Sequence, residues 1–300
     1  MSNVAGSTTG LLPKIGLVAG WGRFPVVIAA ALKQRGYHVC CLGIKDHADP
    51  ALRQIVDDYC ELGLAKIGSH LKYFKQHAIR KITMAGKIDK VRLIGRFAWI
   101  KHLPDLTAIR TFYHHFYSHR RDRCDDTLLR TLVELAARHG LEAVPATDFA
   151  PELLVEAGRL AGPRLNQAQR RDIQFAWSIA KDIGRLDIGQ TVAVNGQAAL
   201  AIEAIEGTDE CIRRAGKLCP SGGFTVVKVA KPQQDMRFDV PTVGMGTLQT
   251  VVEAGGRVLA LEAGKTILID HKDAVRFARR HNISLVAVHR TEMVRSSKAA

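Results

Sequence analysis

The sequence predicts an α/β protein with two domains, the first built on a parallel sheet and the second a mixed α/β unit. In the first half, short apolar runs of strand character alternate with amphipathic helical patterns. In the second half, Asn195-Gly196 lies between two such apolar runs and predicts a β-hairpin. The length of 300 residues and the hydrophobic content of 47% suit two domains of ordinary size.

The first domain is predicted to span residues 1–150. Residues 15–19 and 38–43 are apolar and are predicted strands, and a helix begins near Pro25, which suits a first helical turn. Gly36 ends that helix. The remaining predicted elements of this domain are a helix over 67–77, a strand over 81–85, a helix over 127–139 and a strand over 141–145. Strands and helices that alternate with short connections indicate a parallel sheet covered by helices on both faces.

Residues 151–163 are predicted to be a linker because Pro151 and Gly162-Pro163 interrupt the pattern there. The second domain, 164–300, then begins with a long amphipathic helix over 167–183. The hairpin over 191–201 follows. The other predicted elements are strands over 225–230, 258–260, 266–269 and 284–288, and helices over 247–254 and 273–280.

The composition favours an anionic partner. Lys and Arg number 43 against 29 Asp and Glu, which gives a net charge of +14. Phosphorylated metabolites and an acidic membrane surface both fit this charge. Nucleic acid fits least well, because the basic residues are dispersed and no nucleic-acid motif is present. The six cysteines show no C-x-x-C spacing, and no signal peptide or run of eighteen apolar residues is found. We therefore expect reduced thiols and a cytoplasmic protein, soluble or peripheral to the inner membrane.

Two polar stretches, 203–209 and 228–241, follow predicted strands and form the candidate site. Their carboxylates offer hard oxygen ligands for Mg²⁺, and these are Glu206, Asp209, Asp235 and Asp239. Their cations suit phosphate, and these are Lys228, Lys231 and Arg237. Phosphoryl transfer requires both kinds of group together. The alternative is a solvated, charged surface loop.

A glycine turn, Gly20-x-Gly22, follows the first predicted strand and suggests a phosphate cradle at a helix N-terminus. The third glycine of the dinucleotide fingerprint is absent, and no acidic residue ends the second strand, although Asp46 follows shortly after. The turn is therefore compatible with a nucleotide or sugar-phosphate ligand, with an NAD-type site, or with a purely structural turn.

Seven motifs occur in the order found in one known family. They are Gly16-Leu-Val-Ala-Gly-x-Gly-x-x-Pro25, Met84-Ala-Gly-Lys87, Asp125-Asp-Thr-Leu-Leu129, Gly189-Gln-Thr-Val192, Glu203-Ala-Ile-Glu-Gly-Thr-Asp209, Lys228-x-x-Lys-Pro-x-Gln-x-x-Arg-x-Asp-x-Pro241 and Val243-Gly244. In these motifs the chain resembles the UDP-2,3-diacylglucosamine pyrophosphatases of lipid A synthesis in Gram-negative bacteria. The resemblance is to the type unrelated to the metallophosphoesterase-fold enzymes, and it covers about residues 14–288.

This resemblance implies hydrolysis of the pyrophosphate bond of UDP-2,3-diacylglucosamine to UMP and 2,3-diacylglucosamine 1-phosphate (lipid X), with Mg²⁺ as cofactor. It also implies a Rossmann-like N-terminal domain, a catalytic C-terminal α/β domain and an acylated ligand held between them. Attack on the β phosphorus is favoured by the resemblance, but the residues themselves leave attack at α or β open. Mn²⁺ is an open alternative to Mg²⁺, since both take oxygen ligands.

The resemblance also assigns residues. The aspartate required for activity in the family matches Asp239, and the family's E-G-T-D element matches Glu206, Thr208 and Asp209. From their chemistry, Asp239, Arg237 and Glu206 are predicted to be catalytic, and Asp239 and Asp209 to hold the metal. The predicted substrate-binding residues are Thr208, Lys228, Lys231, Gln234, Gly20, Gly22, Lys87 and Asp126. The resemblance implies that the position of Asp235 can hold Asp or Glu, so no essential role is assigned to it.

Two other classes of function stay open at the sequence level. One is a nucleotide- or NAD-dependent oxidoreductase that uses the Gly20-x-Gly22 turn. The other is a non-enzymatic protein that binds acidic lipid or nucleic acid. The apolar segments 97–100 and 112–117 could hold acyl chains, but ordinary core or interface packing is the favoured explanation for both. Whether the chain is a monomer or a homo-oligomer is also open.

Overall fold

The computed structural model describes residues 12–88, 103–117 and 125–289, and only the backbone for 113–117 and 125–127. The chain divides into two compact units, Met1–Ala150 and Pro151–Ala300. Within 151–163, a 3-10 helix covers Pro151–Leu153 and a strand covers Gly158–Ala161. The segment predicted to be a linker therefore contributes regular structure to the second unit. Among the described residues, no helix is long and apolar enough to cross a bilayer.

The first unit contains a five-stranded sheet in the order β3-β2-β1-β4-β5. All neighbouring strands are parallel. The strands are β1 (Lys14–Ala19), β2 (His38–Ile44), β3 (Asp58–Leu62), β4 (Lys81–Ala85) and β5 (Glu142–Ala143). The helices are α1 (Phe24–Gln34), α2 (Leu52–Ile55), α3 (Ile67–Gln76), α4 (Leu106–Tyr117) and α5 (Asp125–Arg138), with a 3-10 helix at Ala146–Asp148. The predicted parallel α/β architecture is confirmed.

Helices cover both faces of this sheet. One face carries Cys40, Leu42 and Ile44 of β2, which pack with Phe74 of α3 and Ala136 of α5. Strand side chains alternate between faces, so the buried residues Ile15 and Leu17 of β1 lie on the other side, and α1 contacts β1, β2 and β4. Gly16 lies on the α3 face, and a Cβ there would be 2.6 Å from the Phe74 ring. Gly16 therefore allows α3 to pack closely against β1.

The second unit contains a six-stranded mixed sheet in the order β6-β13-β11-β9-β7-β8. The strands are β6 (Gly158–Ala161), β7 (Thr191–Asn195), β8 (Ala198–Ile202), β9 (Thr225–Lys228), β11 (Val258–Glu262) and β13 (Ser284–Val288). The central strands β9, β11 and β13 are parallel to one another. The remaining pairs, β6 with β13, β7 with β9 and β8 with β7, are antiparallel. Two short strands, β10 (Thr242–Val243) and β12 (Ile267–Leu268), form a separate parallel pair.

The helices of the second unit are α6 (Gln167–Arg185), α7 (Thr208–Leu218), α8 (Met245–Glu253) and α9 (His271–Arg280). Helix α6 packs on one face of the sheet, where Trp177 and Ile173 join Val227 and Ala260 in one core. Helices α7, α8 and α9 share the core on the other face. The central strands are buried on both faces, which explains their nearly continuous apolar sequences.

The predicted hairpin is present, with β7 antiparallel to β8. Asn195 pairs with Ala198, so the two turn residues are Gly196 and Gln197 rather than Asn195 and Gly196. Both have positive φ, 59° and 60°, as a type I′ turn requires. The Asn-Gly signal therefore located the hairpin correctly and placed its turn one residue early.

Candidate active site

Charged side chains gather at one edge of the second sheet. Strand β9 ends there with Lys228, and the antiparallel neighbour β7 begins there, because Thr191 pairs with Lys228. Strand β11 ends at the same edge, since Leu261 also pairs with Lys228 and Glu262 follows. Ligands of open α/β sheets bind beyond the carboxyl ends of the parallel strands.

A chain of hydrogen bonds links Lys228 to Thr208 and Glu203 at this edge. The residue Lys228 is 5% exposed. Its ammonium donates to Thr208 Oγ1 at 2.9 Å and to the carbonyl of Thr242 at 3.2 Å. Thr208 Oγ1 in turn donates to Glu203 Oε1 at 2.9 Å. A hydroxyl has one proton, so in this arrangement Thr208 orients Lys228 and Glu203. Its predicted donation to a phosphate oxygen would require the hydroxyl to turn away from Glu203.

Two helices begin at this cluster without a side-chain cap. Helix α7 follows the N-cap residue Gly207, and α8 follows Gly244. The Thr247 hydroxyl in the first turn of α8 donates to Asp209 Oδ1 in the first turn of α7 at 2.9 Å. The first amides of a helix have no intrahelical acceptor and carry the positive end of the helix dipole. The two helix starts therefore offer N–H donors to an anion beside Lys228.

A second group of contacts surrounds Asp239. The Gln234 side-chain amide donates to Asp239 Oδ2, and the Lys231 ammonium lies 3.9 Å from the same oxygen. The Gln234 side-chain oxygen accepts from the Lys231 backbone N–H at 2.7 Å. Lys231 also forms an ion pair of 2.5 Å with Asp187. The structure thus brings together Lys231, Gln234 and Asp239, three of the predicted site residues.

Arg237 and Glu206 have partners of their own. The Arg237 guanidinium binds Asp235 through two parallel hydrogen bonds of 2.9 and 2.6 Å. The hydrogen bond to Asp235 raises the pKa of Arg237 above its ordinary value, and the carboxylate offsets much of the charge that Arg237 was predicted to offer phosphate. Glu206 pairs at 2.5 Å with Arg214 of α7.

The residues predicted to bind substrate in the first unit lie at the carboxyl ends of β1 and β4. Trp21 and Lys87 pair through backbone hydrogen bonds of 2.7 and 3.0 Å. A Cβ on Gly20 would lie 2.7 Å from the Lys87 carbonyl, so only glycine permits this approach. Gly22, at φ 104°, lines a cavity of about 620 Å³. The side chain of Asp126 lies outside the described part of the chain, as do residues 97–100 and the side chains of 113–117.

Asp209 and Asp239 are the carboxylates that were predicted to bind the metal. Across the described residues, three or more metal-ligating side chains converge only at His38, Cys40 and Asp58, in the first unit. Asp209 and Asp239 therefore do not belong to a closed protein cage. Mg²⁺ commonly uses one or two carboxylates and completes its shell with water and substrate phosphates. A single carboxylate such as Asp239, placed beside a phosphate-binding edge, fits that mode of binding.

Asp187 was missed by the sequence analysis. It lies just after α6, far in sequence from Asp239, and has a positive φ of 56°. Its short contact with Lys231 is a tertiary one. The available signal was its position, two residues before the Gly189-Gln-Thr-Val192 motif. Gly189 itself lies against Glu203, where a Cβ would be 2.2 Å from the Glu203 carbonyl.

Comparison with known proteins decides the family. The LpxI N-terminal domain model matches residues 14–153, and the LpxI C-terminal domain model matches residues 156–286. The chain belongs to the LpxI family. A relative from Caulobacter vibrioides, named UDP-2,3-diacylglucosamine pyrophosphatase LpxI, is 28% identical over 274 residues, which cover 88% of this chain and 94% of that protein.

A solved structure gives a weaker match. It is an ADP complex of purK, an N5-carboxyaminoimidazole ribonucleotide synthetase, 15% identical to this chain and covering 68% of it and 45% of the solved chain. The TM-score is 0.25, which is too low to bear on this LpxI-family protein.

Proposed function

We propose that this LpxI-family chain hydrolyses the pyrophosphate bond of UDP-2,3-diacylglucosamine, giving UMP and 2,3-diacylglucosamine 1-phosphate (lipid X) for lipid A biosynthesis. The name of the Caulobacter relative supports this substrate and reaction. The structural observation that carries the proposal is the buried Lys228 ammonium, which lies beside two uncapped helix starts at the carboxyl edge of the second sheet.

The diphosphate is proposed to bind at that edge. Lys228 supplies a positive charge whose position is set by Thr208, and the first amides of α7 and α8 supply N–H donors. Because Lys228 is 5% exposed, its attraction for a phosphate is screened less than that of a surface lysine. Gly20, Gly22 and Lys87 of the first unit stay predicted substrate-binding residues.

Asp239 is proposed to be the principal catalytic carboxylate. Gln234 and Lys231 hold it by one oxygen, so its orientation is fixed before substrate arrives. Asp239 would be the main protein ligand of Mg²⁺ or Mn²⁺, with Asp209 as the second proposed ligand. When bound, the metal would neutralise negative charge on the phosphates. The protein residues orient the diphosphate and a water for in-line displacement.

The contacts of Arg237 and Glu206 limit the roles that we propose for these two residues. Arg237 remains bound to Asp235, so it would hold the substrate through N–H groups that this pair leaves available. Glu206 would have to leave Arg214 to take part in catalysis, since the pair is only 2.5 Å apart. We therefore propose Glu206 as an auxiliary group and Asp239 as the essential one.

We propose that the chain acts at the cytoplasmic face of the inner membrane, because the proposed substrate carries acyl chains and the chain itself is positively charged. Ile205, Leu186 and Ile188 are exposed at 98%, 67% and 48%. Their loops adjoin Glu203, because the Gln190 N–H donates to that carboxylate. Exposed apolar side chains beside the site suit acyl chains or the outer region of a bilayer. The net charge of +14 favours an anionic surface.

The proposal is tested by measuring UMP release from UDP-2,3-diacylglucosamine by the purified chain, with Mg²⁺, with Mn²⁺ and with excess EDTA. We expect release with metal and a loss of at least about 100-fold in EDTA. UDP-N-acetylglucosamine, which lacks the acyl chains, serves as the substrate control. Absence of UMP release with both metals contradicts the proposal. Equal rates on both substrates contradict the lipid specificity.

A further inference from the structure

A cluster of metal-ligating side chains lies in the first unit, at the amino-terminal ends of β2 and β3. It comprises His38 and Cys40 of β2, Asp58 of β3, and His77, which caps the C-terminus of α3. One ligand atom from each of His38, Cys40 and Asp58 lies within 4.8 Å of the other two. The predicted phosphate turn, Gly20-x-Gly22, follows the carboxyl end of β1, so the cluster lies at the opposite edge of the same sheet.

The Asp58 carboxylate is at the centre of the cluster. Its Oδ2 is 2.7 Å from His38 Nε2 and 3.5 Å from Cys40 Sγ, and its Oδ1 is 3.9 Å from His77 Nε2. Ligand atoms around a tetrahedral zinc ion are separated by roughly 3.3 to 3.8 Å, given bond lengths of about 2.0 to 2.3 Å. The separation between Cys40 and Asp58 is therefore close to zinc geometry. The separation between His38 and Asp58 is a hydrogen bond that an ion would replace by a shift of about 0.6 Å.

His77 contacts the Asp58 carboxylate from the end of α3. Its Nδ1 lies 2.9 Å from the carbonyl of Tyr73, and its Nε2 lies 3.9 Å from Asp58 Oδ1. The other oxygen, Oδ2, contacts His38 and Cys40. Carboxylates that bind a metal are typically held by such outer-shell partners.

We propose that His38, Cys40 and Asp58 bind a Zn²⁺ ion, with His77 as the outer-shell partner that holds Asp58. An imidazole, a thiolate and a carboxylate are three of the ligand types that zinc takes, and water would complete the shell. The thiol and imidazole select zinc over Mg²⁺ or Ca²⁺, which prefer oxygen ligands. Binding releases the thiol proton of Cys40, a free cysteine, because the thiolate is the metal ligand. The ion would tie β2 to β3, independently of the hydrolytic site.

The test is calorimetric titration of the metal-free, full-length protein with Zn²⁺, together with the absorption spectrum of the Co²⁺-loaded protein. The variants are Cys40→Ser and His77→Gln. Each has a matched control. Cys60→Ser removes a neighbouring thiol of β3, and His139→Gln removes a histidine whose Nδ1 also bonds a carbonyl four residues earlier, at 2.9 Å.

We expect one zinc ion bound at this site per chain, and a thiolate-to-cobalt charge-transfer band that is absent in Cys40→Ser. Loss of an outer-shell partner costs about 10- to 100-fold in affinity, so His77→Gln should weaken zinc binding by more than about tenfold. The controls should match the wild type. Because Cys40 is fully buried, the half-exposed His77 decides the outcome if Cys40→Ser does not fold. Absence of saturable binding, or equal binding by His77→Gln and His139→Gln, overturns the proposal.

Discussion

At the scale of single residues, the position of the Lys228 ammonium depends on the Thr208 hydroxyl. Thr208 accepts from Lys228 and donates to Glu203 within one hydroxyl group, both at 2.9 Å. A phosphate-binding lysine that is fixed in this way loses little side-chain entropy when substrate binds. In this chain, Thr208 of the E-G-T-D motif therefore acts partly by orienting the side chain of Lys228.

We predict that Thr208→Val lowers kcat/KM for UDP-2,3-diacylglucosamine by about 10- to 100-fold, since a hydrogen bond to a charged group contributes about 1.5 to 3 kcal/mol. Thr208→Ser keeps the hydroxyl and should stay close to wild type. The measurement is steady-state UMP release by both variants. Equal activity of the Val and Ser variants would show that the hydroxyl does not position Lys228.

The sequence predicted part of this site because its residues are close along the chain. Lys231, Gln234 and Asp239 lie within nine residues, and their contacts follow from one loop. Asp187 could not be found in this way, because its approach to Lys231 depends on the packing of α6 against the sheet. Likewise, the pairing of Glu206 with Arg214 depends on a helix that was not predicted.

At the scale of elements, a buried ion pair links α6 to the end of β11. Lys181 Nζ is 2.5 Å from Glu262 Oε2, and the side chains are 19% and 5% exposed. Lys181 also donates to the carbonyl of Ala230 at 2.7 Å, and the Ala230 N–H donates to Glu262 at 2.7 Å. The pair therefore fixes the chain just after β9, immediately before the Lys231 loop.

We predict that Lys181→Met destabilises the protein by about 3 to 5 kcal/mol, because it removes the closer of two cations from the buried Glu262 carboxylate, the other being Lys265 at 3.9 Å. The control is Arg185→Ala on the same helix, whose pair with Asp182 is exposed and should contribute about 1 kcal/mol or less. Urea denaturation of both variants checks this. A Lys181→Met protein as stable as Arg185→Ala would contradict the structural role of the pair.

Elements with a strong apolar pattern were predicted well, and those defined by tertiary packing were not. Strands β1, β2, β4 and the β7–β8 hairpin matched their predictions within a few residues. Helix α7 was missed because its buried stripe is narrow, with only Cys211, Ile212 and Ala215 fully covered. Strand β3 was missed because its sequence, Asp-Tyr-Cys-Glu-Leu, has no fully buried residue and takes its strand form from pairing with β2.

At the scale of the whole molecule, one half-buried histidine makes the stability of the first unit depend on pH. His70 of α3 donates from Nε2 to the Gly63 carbonyl at 2.9 Å. Burial lowers the pKa of His70 below its ordinary value of 6.5 and outweighs the opposing effects of the Gly63 carbonyl and Asp105. Between the lowered pKa and 6.5, the unfolded chain binds the proton more readily than the folded chain does.

The stability contributed by neutral His70 is therefore present above pH 6.5 and is lost as the pH falls through the folded-state pKa. We predict that the free energy of unfolding falls from about pH 8 to about pH 5.5 by less in His70→Gln than in the wild type. His139→Gln, at an exposed position, is the control and should keep the wild-type dependence. Identical pH dependence in all three proteins would contradict the lowered pKa of His70.

The two-unit architecture and the class of chemistry could be predicted from the sequence, because ordered motifs and apolar alternation are visible without the tertiary structure. The proposed zinc ligands could not, since they come from two strands and carry no local spacing signal. Metal sites built across a sheet edge become visible only when the strand register is known, as in the pairing of Cys40 with Asp58.

The central claim is that Asp239, held by Lys231 and Gln234, is the essential carboxylate of a pyrophosphate hydrolase. The most direct measurement is the rate of UMP release from UDP-2,3-diacylglucosamine by Asp239→Asn, compared with Glu210→Gln. Glu210 is an exposed carboxylate of α7 that pairs with Arg213. We predict that Asp239→Asn lowers kcat by at least about 100-fold while Glu210→Gln keeps the wild-type rate. A folded Asp239→Asn protein with wild-type kcat would contradict the claim.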